Sequence, residues 1–222
     1  MDRPDTDPSV LEEDLKNLRI INRYFGGVKA LQEGVMRLAS KVTAEAPLTI
    51  LDLATGTGDQ PIALVKRFRK LGRSVSIIAV DRNPVMLSIA RGLASEFPEI
   101  EFEQYDLGAL PFKESSFDIV TCSLAIHHLS NDDATKLLRK MYGLCRIGFV
   151  INDLSRSYLG AATAWLYTRL TTRNPMTLYD SMVSVLRAFT KEEMMGMAAD
   201  AGIGKVGIVK RPMFRLVTVK EK

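Results

Sequence analysis

Cysteine and histidine are scarce in this chain, with two of each among 222 residues. Cys122 and Cys145 both sit in apolar, strand-like runs, which reads as two buried core thiols and excludes a disulfide framework or zinc site. The histidines, His127 and His128, are adjacent; neighbouring histidines rarely share one ion and no third ligand is evident, so no metal is expected. No apolar run approaches the roughly 20 residues needed to span a bilayer, which excludes an integral membrane segment. Met1 to Val10 carries Asp2, Asp5 and Asp7 in place of the basic and apolar parts of a secretory signal, and a cytoplasmic location is expected. Charge of one sign is also lacking, for the formal net charge is only +4. Acids crowd the first fifteen positions, and Lys205, Lys210, Arg211, Arg215, Lys220 and Lys222 crowd the end. No aromatic-interleaved basic stretch accompanies them, so no nucleic-acid partner is expected. What remains, 46% hydrophobic and 25% charged residues, fits a soluble monomer or homodimer with one sizeable core and a small-molecule partner.

Residues 1–46 read as a disordered lead-in followed by a helical cap. Leu15, Leu18, Ile21 and Phe25 recur at helical spacing, and Gly26-Gly27 joints two helices. Residues 47–222 read as one α/β domain. Thr49–Ala54 is a short apolar run suited to a strand buried on both faces. Pro61–Leu71 follows as a helix, closed at Gly72 by a left-handed cap. The alternation continues with strand Val75–Val80, helix Pro84–Glu96, strands Ile100–Tyr105 and Phe117–Cys122, helix Ser130–Tyr142 and strand Cys145–Ile151. It breaks at Asn152. Residues 154–189 read as an inserted helical lid with a helix over Tyr158–Leu170. Thr190 to Glu193 forms a capping box for a further helix, and strands near Lys205–Lys210 and Phe214–Val219 close the chain. The expected architecture is a Rossmann-like, seven-stranded, mostly parallel sheet with helices on both faces.

In such a sheet ligands bind at the carboxyl ends of the strands. Asp52-Leu-Ala-Thr-Gly-Thr-Gly-Asp59 follows the first strand. Gly56 and Gly58 clear side chains from a tight turn, and Asp59 stands at a helix N-terminus. A dinucleotide fingerprint would need glycine at Pro61, and Asp52 and Asp59 would repel a pyrophosphate but suit an ammonium. Asp81-Arg82 follows the second strand, where a carboxylate can accept both hydroxyls of a ribose. Asp106-Leu107 follows the third, where a carboxylate can accept from an exocyclic amine. Together these strand ends describe a pocket for an adenosine with a positively charged amino-acid tail.

Residues 49–153 resemble a class I S-adenosyl-methionine-dependent methyltransferase. The Asp52–Asp59 loop is similar to that of the ubiquinone/menaquinone biosynthesis methyltransferases. The resemblance implies S-adenosyl-methionine as cofactor, with the backbone of Ala54, Thr55 and Gly56 on its methionine portion. It implies Asp81 on the ribose, Arg82 beside the adenine, Asp106 and Leu107 on the adenine amine and face, and Ser123 lining the methionine side. The carboxy-terminal half does not carry the signature of the quinone enzymes. More loosely, Asn22-Arg23, Asn152-Asp-Leu-Ser-Arg156 and Arg187-Ala-Phe-Thr190 resemble small methyltransferases found beside type III polyketide synthases, which act on phenols.

Methyl transfer needs mainly alignment and desolvation, but a phenol also benefits from a general base. His127 or His128, just past Ser123, is the candidate base; the bland alternative has His128 packing beneath the cofactor and His127 filling the turn. Arg23 is the candidate for the methionine carboxylate and Tyr24 for a substrate wall. Asp153 and Arg156 can reach towards an acceptor after the fifth strand. Trp165 in the lid helix and Arg187 at its basic rim complete the expected acceptor site. The expected reaction is O-methylation of a phenolic or polyketide-like molecule, with C-methylation of a quinol-like ring as alternative; a non-catalytic adenosyl-ligand-binding protein is a third reading.

Overall fold

The computed structural model describes residue 19, residues 26–43 and residues 47–222. Among these, seven strands form one sheet: β1 (Leu48–Leu53), β2 (Val75–Asp81), β3 (Ile100–Gln104), β4 (Phe117–Ser123), β5 (Cys145–Leu154), β6 (Gly207–Arg211) and β7 (Arg215–Glu221). Their order is β3-β2-β1-β4-β5-β7-β6. The first five are parallel, and β7 runs antiparallel to both β5 and β6. The helices are α1 (Gly27–Ala39), α2 (Asp59–Lys70), α3 (Pro84–Leu93), α4 (Asn131–Leu144), α5 (Tyr158–Thr171), α6 (Pro175–Arg187) and α7 (Lys191–Asp200). The expected Rossmann-like α/β architecture is what the chain adopts.

The period-two side-chain alternation of a strand divides the core in two. Leu48 and Ile50 of β1, Ile77 and Ala79 of β2, Ile119 of β4 and Val150 of β5 face α1 and α2, where they meet Leu31, Val35, Leu38, Leu64, Val65 and Phe68. Leu51, Leu53, Val80, Val120, Cys122, Phe149 and Ile151 face the other way, against Leu137, Leu138 and Met141 of α4 and Met194 and Met197 of α7. Helix α1 is therefore part of the main core, its residues 31, 35 and 38 forming one buried stripe. Its 13 residues account for the second half of the expected helical cap; the first helix, Arg23 and Tyr24 lie outside the described residues.

Helix starts follow their caps. Asn83 accepts the N–H groups of Val85 and Met86 ahead of Pro84, Ser130 accepts that of Asp133, and Thr190 and Glu193 bond reciprocally. Helix α2 begins two residues before Pro61, whose missing N–H costs nothing in a first turn. The 154–189 segment holds two helices rather than one. Asn174-Pro175, with the Asn174 side chain accepting from Met176 and Thr177, starts the second. Both cysteines are free and buried.

Candidate functional site

The carboxyl ends of β1, β2 and β4 lie side by side because Leu53 is in register with both Val80 and Cys122. Beyond β1 the chain turns through Ala54, Gly56 and Gly58, all with positive φ (53°, 56° and 77°). Glycine takes this conformation freely, whereas Ala54 pays about 1–2 kcal/mol of strain for it. Leu124, one residue beyond β4, is strained in the same way at φ 52°. Two left-handed non-glycine residues on neighbouring strand ends mark the rim of one cavity.

That cavity has a volume of about 700 Å³. Asp52, Ala54, Thr55, Gly56, Asp59, Asp81, Arg82, Asp106, Leu107, Ser123, His127 and His128 all line it. The fold thus brings together most of the residues singled out in the sequence. Gly58 does not line the cavity; a side chain there would instead meet the Phe102 ring, 3.1 Å from its Cβ.

Carboxylates hold this site in shape. Asp81 accepts the Gly56 N–H at 2.8 Å through Oδ2 and the Asn83 N–H at 2.9 Å through Oδ1, tying the glycine turn to the end of β2. Asp106 accepts the Gly108 N–H at 2.8 Å and so caps the short helical turn Leu107–Ala109. Asp52 is almost wholly buried and accepts the Thr121 hydroxyl at 2.6 Å. Burial pushes its pKa up to about 6; the Thr121 bond opposes this and the nearby Asp81 charge adds to it. Asp59 is also raised by burial, opposed by the Thr57 hydroxyl at 3.0 Å and by the Arg19 guanidinium at 3.2 Å.

Alternation along β5 sends Asn152 and Asp153 to opposite faces. Asn152 donates to the Gly27 carbonyl at 3.1 Å and anchors α1. Asp153 lies beneath the turn Ile126–His128, accepting the backbone N–H groups of Ile126 (2.9 Å) and His127 (3.2 Å) and that of Leu154 (2.7 Å). Its Oδ1 also stands 2.6 Å from Nδ1 of His127. Burial works against the charge on His127, but the Asp153 carboxylate outweighs it and leaves the imidazole above its ordinary pKa. Burial likewise works against the Asp153 charge, yet His127 and the backbone donors bring its pKa below the usual value. An ionised carboxylate only accepts, so Nδ1 carries the proton and Nε2 is the nitrogen left for other partners.

The acceptor-contacting positions expected after β5 and in the lid do not line the cavity. Asp153 is a buried support for His127 and does not line the cavity. Arg156 pairs with Glu193 at the head of α7. Trp165 is on the outward face of α5, its ring under the Arg169 guanidinium at 5.4 Å. Arg187 is exposed at the end of α6, where its charge opposes protonation of His127. The lid element at the cavity is α6, through Asp180, Ser181 and Ser184. Its orientation is fixed by packing on α5, including a 3.2 Å contact between the Thr168 and Ser181 hydroxyls, and no sequence pattern announced it. Gln60 and Leu124, also missed, were adjacent to residues already chosen.

The donor set fits an adenosyl-sulfonium ligand. Four carboxylates offer acceptors for ribose hydroxyls, an exocyclic amine and an ammonium. Ser123 Oγ and both amide atoms of Gln60 are buried, line the cavity and have no hydrogen-bond partner among the described residues, which calls for a polar ligand. Among the described residues no group of three His, Cys, Asp or Glu side chains could hold a metal.

Comparison with known proteins agrees. Residues 50–148 match the family described as a methyltransferase domain. A 105-residue stretch is 37% identical to the ubiquinone/menaquinone biosynthesis C-methyltransferase of Xanthomonas oryzae, covering 45% of this chain and 38% of that protein. The chain thus matches well under half the length of its curated relatives. A crystal structure of a SAM-dependent methyltransferase from Aquifex aeolicus superposes with a TM-score of 0.65 at 18% identity, covering 97% of this chain and 98% of the other. The magnesium protoporphyrin IX methyltransferase of Synechocystis, solved with bound SAH, superposes with a TM-score of 0.63 at 15% identity over 98% and 90% of the two chains. Residues 50–148 thus match a methyltransferase domain, and the chain carries it in the fold of the S-adenosyl-methionine-dependent methyltransferases with which it superposes.

Proposed function

We propose that this chain methylates a hydroxyl oxygen of a small phenolic or polyketide-like acceptor, with His127 as general base. Bound in the cavity, S-adenosyl-methionine supplies a methyl group on a positively charged sulfur, with a neutral thioether as leaving group. Asp52 and Asp59 attract the cofactor's ammonium, Asp81 accepts from its ribose, and Asp106 with Leu107 receives the adenine. The observation that carries the base assignment is the buried 2.6 Å bond between His127 and Asp153 at a residue lining the cavity. Asp153 holds the Nδ1–H tautomer, so Nε2 takes the acceptor's proton and Asp153 stabilises the imidazolium that results. Leu124, Ala125 and Leu129 offer the acceptor an apolar wall, and Ser181 and Ser184 line the same cavity.

A second reading, C-methylation of a quinol-like ring, is favoured by the identity to the Xanthomonas C-methyltransferase. It uses the same base, since removing a ring hydroxyl proton also enriches the ring carbons. Incubation of the full chain with methyl-labelled cofactor and a panel of phenols, quinols and lipid extracts separates the two. An O-methyl product yields to ether-cleaving conditions and a ring methyl does not. No cofactor binding by calorimetry overturns both readings.

A further inference from the structure

Helix α5 is built inside out. Its inward positions are small or polar: Gly160, Ala161 and Thr168 are the buried ones. Large apolar residues stand on its outward side at spacings of seven and four. Tyr158 is 85% exposed, Leu159 68% and Leu170 78%, with Leu166 and Trp165 also exposed between them. Gly160 leaves no room for a larger inward residue, since a Cβ there would stand 2.6 Å from the Phe214 ring. The apolar side therefore faces outwards by construction, along about 18 Å of helix. Tyr179 of α6 is exposed as well.

Helix α5 and the turn after it carry charges of one sign. Between Leu154 and Tyr179 the charged residues are Arg156, Arg169 and Arg173, with no acid among them. Arg156 is turned to Glu193, whereas Arg169 and Arg173 are exposed at the end of the apolar strip. Leucines flanked by aromatic rings, with arginines at one end, match a bilayer interface in depth: aliphatic groups enter the acyl boundary, Trp and Tyr sit at headgroup level and Arg meets anionic headgroups. No helix among the described residues is long and apolar enough to cross a membrane, so the contact is with a surface.

We propose that the outward face of α5 docks this protein onto anionic lipid bilayers, with Leu159, Leu166 and Leu170 inserted and Arg169 and Arg173 on the headgroups. Helix α6 packs on α5 and also lines the cavity, so a docked molecule would hold the cavity close to the lipid.

Trp165 is the single tryptophan of the chain and reports directly on this face. The full chain is mixed with vesicles of phosphatidylcholine alone or phosphatidylcholine with phosphatidylglycerol, without cofactor or acceptor. The expected result is a blue-shifted Trp165 emission and co-flotation with anionic vesicles, both weakened by salt. Arg169→Gln and Arg173→Gln should each weaken binding about five-fold. Leu166→Glu with Leu170→Glu should abolish it, with the circular dichroism spectrum kept because both positions are exposed. Absence of a Trp165 shift with anionic vesicles, or equal binding to both vesicle types, overturns the proposal. So does a solution dimer that Leu166→Glu with Leu170→Glu converts to monomer, which would assign the face to a second copy of the chain.

Discussion

The Nδ1 nitrogen of His127 lies 2.6 Å from the Asp153 carboxylate, and the two side chains are 4% and 5% exposed. The same carboxylate holds the backbone of Ile126 and His127, so one residue sets both the path of the turn and the tautomer of the ring.

Asp153→Asn should lower turnover about 100-fold or more while leaving cofactor affinity within a few-fold. A base acts when neutral, so activity rises with pH through the His127 pKa. Asp153 lifts that pKa above 6.5, and its removal should move the rising limb to lower pH. A pH–rate profile of variant and parent checks both. His127→Ala and His128→Ala should be measured alongside, and undiminished turnover in His127→Ala removes the base assignment.

Asp81→Ala should weaken S-adenosyl-methionine binding about 10- to 100-fold in calorimetry. It removes a charged acceptor at the cavity and frees the Gly56 and Asn83 N–H groups at once. Unchanged affinity would remove the ribose-binding role.

The two glycines of the loop should respond differently to alanine. Both carry positive φ, so each substitution costs about 1 kcal/mol or more in backbone strain. At Gly56 the new Cβ meets nothing within 4 Å of the protein, but it points into the binding region and should reduce cofactor affinity. At Gly58 it also crowds Phe102 at 3.1 Å, so Gly58→Ala should show the larger fall in Tm. Thermal unfolding with and without cofactor separates the two effects.

Asp52 should make cofactor affinity depend on pH. Burial raises its pKa from 3.8 to about 6, so its effect on stability is fully present below about pH 3.8 and is lost as pH rises through about 6. Asp52→Asn should therefore raise the Tm at pH 7, by a stability gain of up to about 3 kcal/mol, and change it little near pH 4. Affinity has the opposite sign. Ionised Asp52 attracts the ammonium, so the parent should bind S-adenosyl-methionine less tightly as pH falls through about 6, and the variant should lose that dependence. Calorimetry at several pH values checks it.

Much of the architecture was legible in short stretches. Leu48–Leu53 has the apolar density of a strand buried on both faces, and Ser130 and Thr190 cap the helices they precede. The loop Asp52–Asp59 and the acids Asp81 and Asp106 were legible too, because a parallel sheet puts every such residue at one edge. Arg156, Trp165 and Arg187 follow β5 in the chain, where acceptor contacts are expected, but chain position does not say which way a side chain turns. Asp153 shows this most sharply: a carboxylate after a strand looks like a ligand contact, and only its neighbours make it the support of a histidine.

The sequence by itself determined the strand-helix alternation, the helix starts at Ser130 and Thr190 and the glycine turn after β1, because each depends on residues within about one turn of one another. The tertiary structure alone decided that His127 meets Asp153, that α6 rather than Trp165 borders the cavity, and that α5 turns its apolar side outwards. Those outcomes depend on how residues 13 or more positions apart are brought together, and on Phe214 filling the space beside Gly160, which no local pattern encodes.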